Sequence, residues 1–437
     1  MSKKIMNRRN FIKAAIGGGV LIASGNFLSG CDSNSATDDN NLSKDNKSSD
    51  LEVDYLRQMI TSDPSTSRCI MFQSDDILIE PAIEIKSTDS NESKIFPAKE
   101  QFFTDDDHVN NQYSAQIDDL EVGRNYQYRI IDGEHCSTWH EIKTTDGKQF
   151  KALIFPDSQC ADYDVWKNVA TNAYARNQDA EFFVNIGDLV DNGEDWTQWR
   201  SWFHGAENFL DKILCVPMIG NHECYSRQWK VRQPLAYLNY FELPKNGSKN
   251  YERRYYSFDF GDVHFAVFDS QWNELADIGG DGEDLIREQK DWLRRDITSS
   301  EKKWKIIMTH KDVLQYRING RPERREGFSD IGTEFMPLFD ELGVDVVFTG
   351  HLHTYRNRGH IYNFEHNSQG PLYILTGIAG DVRYPGLWID HALDVAKAPQ
   401  PDIDNYLKLE VSESKLEIKC FLADGTEIDH AEVTKLN

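Results

Sequence analysis

Five apolar runs, each ending on residues that can bind a cation or move a proton, constrain this 437-residue chain more than any other feature. Phe150–Phe155 leads into Asp157, Ser158 and Gln159. Phe182–Ile186 leads into Gly187, Asp188 and, three residues on, Asp191. Leu214–Ile219 leads into Gly220, Asn221, His222 and Glu223. Lys305–Met308 leads into Thr309, His310 and Lys311, and Val344–Phe348 into Gly350, His351, Leu352 and His353. Apolar runs of this length read as buried strands, and stretches with helical periodicity lie between them, which predicts βαβ units. In such sheets the loops at the carboxyl ends of the strands converge. Five strand ends of this kind place carboxylate, amide and imidazole groups around one point. Glycines before Asp188, Asn221 and His351 allow sharp exits from the strands. On an extended segment, His351 and His353 point to one face. A mixed oxygen and imidazole set suits Fe, Mn or Zn better than Mg or Ca, and a carboxylate can bridge two such ions.

Helices are predicted over Trp196–Leu210, with Trp196, Trp199, Phe203 and Leu210 inward, and over Leu285–Ile297. Residues 52–147 have another texture. Short alternating runs at Cys69–Phe72, Ala82–Ile85, Tyr113–Ile117 and Tyr126–Ile131 are separated by turn signals, with Asp132-Gly133 marking a hairpin. About seven strands are predicted there, in a small β-sandwich ahead of an α/β region at 148–437. Its expected part is that of a spacer packed against the α/β region.

The N-terminus reads as an address. Arg8-Arg9, an apolar stretch from Ala14 to Leu28, and Leu28-Ser29-Gly30-Cys31 follow one another. This resembles a Tat signal, residues 1–30, ending in a lipobox, with Asn7 where Ser or Thr is commoner. It implies passage through the Tat export machinery, lipidation at Cys31, and a lipoprotein at the outer side of the cytoplasmic membrane. Residues 31–51 then form a solvated tether. The whole chain has 48 basic and 72 acidic residues, a formal charge of −24. Loss of five basic residues with the signal takes the charge to −29. Nucleic-acid binding is not expected, and the acyl group rather than the surface would hold the chain to an anionic membrane. The six remaining cysteines show no metal spacing and are expected to be mostly free and buried.

Taken in order, Asp157, Gly187-Asp188, Gly220-Asn221-His222-Glu223, His310 and Gly350-His351-Leu352-His353 resemble the signature of calcineurin-like metallophosphoesterases. The stretch Leu120–Ile130 resembles a fibronectin type III-like signature, with Val122 in place of Pro. Together with Gly377-Ile378-Ala379-Gly380, it makes purple acid phosphatases the group this chain resembles most. The resemblance implies an α/β, two-sheet αββα sandwich behind the β module, and a phosphoesterase using two transition-metal ions. Asp157, Asp188 and His353 would bind the first ion. Asp188 would bridge, and Asn221, His310 and His351 would complete the second. Asn221 and His222 would contact the phosphoryl group, and His222 would protonate the leaving group.

Two positions depart from the pattern. Purple enzymes carry a tyrosinate ligand where this chain has Asp191, so no ferric charge-transfer colour is expected. Asp191 instead resembles the protein Ser/Thr phosphatase residue that orients the histidine of the Gly-Asn-His motif, so its carboxylate is expected to partner His222. Gln159 stands where many relatives have a His ligand, and either its amide oxygen or water would fill that place. Among basic residues after His310, Arg317 is a candidate for the substrate phosphate, as is Arg356. The expected function is hydrolysis of small phosphate monoesters by metal-bound hydroxide. The alternatives are a phosphodiesterase on the same core and a surface binding protein with a degenerate domain.

Overall fold

The structure, a computed structural model, describes residues 50–315, 326–383, 390–399 and 403–435. Cys31 and the whole predicted signal, together with Arg317, lie outside the described residues.

Two large sheets pack face to face. The first has ten strands, in the order Glu427–Thr434, Lys415–Leu422, Asn405–Val411, Phe150–Phe155, Ala180–Asn185, Leu214–Pro217, Asp54–Met59, Arg68–Gln73, His108–Ile117 and Lys99–Asp105. The second is built on Tyr256–Phe260, Val263–Val267, Trp304–Met308, Val346–Thr349, Leu372–Thr376 and Tyr355–Tyr362. Phenylalanines from both sheets fill the space between them. Phe182 meets Phe258 and Phe265 edge to face at 5.9 and 5.6 Å, and Phe258 stacks on Phe265 at 4.7 Å. Helices Tyr163–Arg176 and Trp196–Leu210 belong to the first sheet's outer layer, and Gly282–Ser299 and Asp330–Leu342 to the second's. This is the expected αββα sandwich.

Local sequence explains the elements. Asp195 caps the Trp196 helix by accepting from Thr197 N and Gln198 N. That helix keeps its predicted bounds, but its buried stripe is Trp199, Trp202, Phe203, Ala206, Phe209 and Leu210. Trp202 thus replaces Trp196 in the core. Trp196, in the first turn, instead stacks on His108 of the N-terminal module at 4.2 Å.

The N-terminal module is a two-sheet sandwich around Ile70, Phe72, Ile83, Ile85, Tyr113, Tyr128 and Ile130. Its Asp132-Gly133 hairpin forms as predicted, with Ile131 opposite Cys136. It is more than a spacer. Asp54–Met59 pairs in parallel with Leu214–Pro217, through Gln58–Leu214 and Met59–Cys215, so one module sheet is a continuation of the large sheet. Met59, Ile60, Cys69 and Met71 also belong to the main core. Burying four such side chains contributes roughly 6–10 kcal/mol, comparable with the roughly 5–15 kcal/mol net stability of an ordinary domain. Arg57 reinforces the junction. It is fully buried, with its guanidinium donating to the Tyr240 carbonyl and to Gln112 Oε1.

All six cysteines among the described residues are free and buried. The strands Phe150–Phe155, Ala180–Asn185 and Leu214–Pro217 run parallel, as do Val263–Val267, Trp304–Met308 and Val346–Thr349. Their carboxyl ends therefore deliver residues to one rim of the sandwich.

Candidate metal centre

At that rim the predicted ligands meet. Asp157, Asp188 and His353 place ligand atoms within 4.8 Å of one another, and so do Asp188, His310 and His351. Asp188 belongs to both groups, as a bridging carboxylate must. Asn221 joins the second, its Oδ1 lying 3.2 Å from His310 Nε2.

The backbone is shaped around these side chains. A Cβ on Gly220 would lie 2.2 Å from Asp188 Oδ1, and one on Gly350 would lie 2.6 Å from Asp157 Oδ1. These two glycines leave room for carboxylates rather than turning the chain. Gly187 does adopt a left-handed conformation, with φ +83°. The His351–His353 segment is not the extended one expected. His351 and His353 have φ values of 76° and 50°, and Asp188 one of 47°. Non-glycine residues in this region cost free energy. Here that cost falls on three of the predicted ligands, because a bend rather than strand alternation brings both imidazoles to the centre.

Hydrogen bonds set each donor atom. His310 Nδ1 donates to the Ile186 carbonyl at 2.7 Å, and His353 Nδ1 to the Val382 carbonyl at 3.0 Å. This leaves Nε2 of His310 facing Asp188 Oδ2 at 3.1 Å and Nε2 of His353 facing Asp157 Oδ2 at 3.2 Å. Asp188 Oδ1 accepts from His222 N at 2.8 Å, while Oδ2 is fully buried. Asp157 accepts from His351 N with both oxygens, at 3.0 Å. Gln159 is fully buried with both amide atoms unpartnered. Lone pairs converging in a dry site repel unless a positive charge sits among them.

The titration tendencies say the same. Burial disfavours charge on His310, but the Asp188 and Asp157 carboxylates outweigh it and push its pKa up to about 9. Burial also favours neutral Asp188, yet His310, His222 and His351 hold it far below the usual carboxylate range. His351 is driven the other way, by burial and then by repulsion from His310. One imidazole holding a proton beside a neighbour that rejects one is what a cation would relieve. The donor set of carboxylates, imidazoles and an amide fits transition-metal ions.

His222 Nδ1 donates to the Asp191 main-chain carbonyl at 2.7 Å. The Asp191 carboxylate expected in that place stands off at 3.6 Å. Burial opposes protonation of His222, and Asp188, then the Asp191 carbonyl and carboxylate, more than compensate. Arg356 does not serve the site as expected. It is buried, with its guanidinium paired to Asp390 at 3.2 Å and Asp394 at 3.7 Å.

The family match settles what kind of chain this is. The model described as calcineurin-like phosphoesterase matches residues 135–355, just over half of the sequence. The chain belongs to the calcineurin-like phosphoesterase family. Residues 54–144 match the purple acid phosphatase N-terminal domain. Purple acid phosphatase 15 of Arabidopsis thaliana is 29% identical over 208 residues, covering 47% of this chain and 36% of the relative. Purple acid phosphatase 23 of the same plant is 24% identical over 302 residues, covering 61% and 62%. The aligned part thus spans between about a third and two thirds of these relatives' length. Among solved structures, purple acid phosphatase PPD1 from yellow lupin seeds shares the fold with a TM-score of 0.72 at 17% identity, over 87% of this chain and 74% of that one. PhoD shares it at 0.59 and 13% identity, over 87% and 88%. The family's dependence on a dinuclear metal centre agrees with the two ligand groups sharing Asp188.

Sequence reasoning left Glu223 unassigned, and the structure gives it a place. Its fully buried carboxylate accepts from Gly220 N at 2.7 Å, Asp188 N at 3.0 Å and Leu189 N at 2.8 Å. It therefore fixes the loop that presents Asp188, the carboxylate common to both groups. Asp312 acts similarly one layer out, taking two bonds from Arg358 at 3.0 and 2.7 Å and one from Thr349 Oγ1 at 2.7 Å, just before Gly350. The place of Glu223 in a Gly-Asn-His-Glu turn gave no hint that these three backbone groups, and Val190 N at 3.4 Å, converge on it. Replacing Glu223 by Ala strands these buried N–H groups, each worth about 1–3 kcal/mol. Urea unfolding of Glu223→Ala is expected to show a loss of at least about 3 kcal/mol, and an unchanged midpoint would contradict this role.

Proposed function

We propose that this chain is a dinuclear metal-dependent phosphoesterase acting on small phosphate monoesters. The observation that carries the reading is the pair of ligand groups sharing buried Asp188. Asp157, Asp188 and His353 would hold one ion, and Asp188, Asn221, His310 and His351 the other, with Fe, Mn or Zn suited to the donors. Gln159, buried and unpartnered two residues after Asp157, would add its amide oxygen to the first. When bound, the ions supply the positive charge that activates water and offsets charge on the phosphoryl oxygens.

The chain's own residues supply the rest. Asp188 holds the His222 backbone through its Oδ1, which ties the bridging ligand to the proton donor. With the Asp191 carbonyl accepting from Nδ1, the transferable proton of His222 is confined to Nε2. The neighbouring Asp188 and Asp191 carboxylates favour imidazolium, the form that can protonate a departing alkoxide. A cavity of 410 Å³ lined by Asn221, Tyr225, Trp272, Glu274, Lys311 and His351 opens beside the second ligand group. Asp191 has its carboxylate near this histidine in the position where purple enzymes carry a metal-bound tyrosine, so the loaded protein would be colourless in the ferric charge-transfer region.

His222→Ala is expected to lower kcat for p-nitrophenyl phosphate by roughly 10²–10⁴-fold. Hydrolysis of bis-p-nitrophenyl phosphate should be slower than that of the monoester. Undiminished kcat in the variant, or faster diester cleavage, would contradict the respective part of the proposal.

We further propose that the chain is exported through a Tat signal at 1–30 and anchored by lipid on Cys31 at the outer side of the cytoplasmic membrane. Arg8-Arg9, the apolar stretch and Leu28-Ser29-Gly30-Cys31 support this. Cys31→Ser is expected to move the protein from the membrane to the soluble fraction. A variant that still sediments with membranes after a salt wash would argue against the anchor.

A further inference from the structure

The hairpin after the Gly220–Glu223 turn carries two aromatic residues that the metal ligands do not explain. Tyr225 bridges to Val231, and Ser226 N donates to the Lys230 carbonyl at 2.8 Å, closing a tight loop. Trp229 sits in that loop, 58% exposed and with φ of 58°. A bulky side chain in the left-handed region is strained, where Gly or Asn is tolerated. A mostly exposed indole also recovers little by burial. Stability therefore does not explain Trp at this position.

Its surroundings do. The indole centroid lies 5.8 Å from the His222 ring and 6.0 Å from Tyr225, and Tyr225 lies 5.6 Å from His222. Tyr225 also lines the cavity shared with Asn221 and His351, so an aromatic wall runs from the ligand cluster outward. The hairpin is held from three sides. Asn192 Nδ2 donates to the Ser226 carbonyl at 2.5 Å, close to Asp191, and Arg227 N donates to Glu194 Oε2 at 2.7 Å. From the N-terminal module, Asp106 pairs with Arg227 at 2.7 Å, and Asp105 takes two bonds from Arg232 at 2.7 and 2.9 Å. A wall pinned in this way is set for shape recognition.

We propose that Trp229, backed by Tyr225, is the subsite for the alcohol part of the ester, and that it selects phosphate esters bearing an aromatic ring. The ring stacks on the indole while the phosphoryl group lies among the metal ligands. This rests on the phosphoesterase reading above.

The test compares metal-loaded full chain with Trp229→Asn, which keeps a left-handed backbone without the ring, and with Trp229→Phe. In Trp229→Asn the ratio of kcat/KM for phenyl phosphate over glycerol 2-phosphate is expected to fall about tenfold, the scale of one aromatic contact. Trp229→Phe should restore most of it. By calorimetry, phenylphosphonate should bind the wild type about tenfold more tightly than methylphosphonate, a preference absent from Trp229→Asn. An unchanged ratio, whether both esters are lost equally or neither is, would overturn the proposal. A larger loss on glucose 6-phosphate than on phenyl phosphate would put a sugar on the wall and also overturn it. Failure of the wild type to hydrolyse any ester would instead count against the phosphoesterase reading, with the calorimetric preference still deciding the role of Trp229.

Discussion

Asp188 is a fully buried carboxylate with one oxygen fixed by the His222 backbone and the other 3.1 Å from His310 Nε2. Much of the molecule follows from keeping that arrangement intact. Carboxylates buried this deeply need positive charge beside them, from imidazolium or a bound cation. Holding the rim ready requires backbone that ordinary residues avoid, and the left-handed conformations of Asp188, His351 and His353 are where that cost falls. The same contacts exclude side chains at Gly220 and Gly350, where any Cβ would strike a ligand carboxylate.

Strain of this kind persists only where surrounding structure over-determines it. Glu223 gathers the amides of the Asp188 loop, and the Asp312–Arg358 pair anchors the chain on either side of His310 and His351. The N-terminal module belongs to this support. Its strand Asp54–Met59 extends the large sheet beside Leu214–Pro217, the strand that leads to Asn221 and His222. Its Asp105 and Asp106 clasp the arginines flanking Trp229. A module that reads in sequence as a packed spacer thus reaches the rim by hydrogen bonds from two directions.

What the sequence made legible was local. Each catalytic strand announces itself by an apolar run and its ligand by the first polar residues after it, so Asp157, Asp188, Asn221, His310, His351 and His353 could be named and do meet. The bounds of Trp196–Leu210 follow from a capping Asp and a 3.6-residue stripe. Features that depend on distant partners were hidden. Arg356 looks available until Asp390 and Asp394 are folded against it. His222 takes the Asp191 carbonyl rather than its carboxylate, a choice made by backbone direction and not by residue type. Nothing in a Gly-Asn-His-Glu string reveals that the last carboxylate gathers amides from a loop more than thirty residues earlier. The strain at Trp229 is a property of φ alone.

Counting ions per chain is the sharpest check on the claim that Asp188 joins two metal sites. Purified wild type and Asp188→Asn would be measured by plasma mass spectrometry after equilibration with Fe, Mn or Zn and gel filtration. Two ions per wild-type chain, and one or none in the variant, are the expected result. A wild type that retains fewer than two, or a variant that still holds both, would contradict the shared-carboxylate centre.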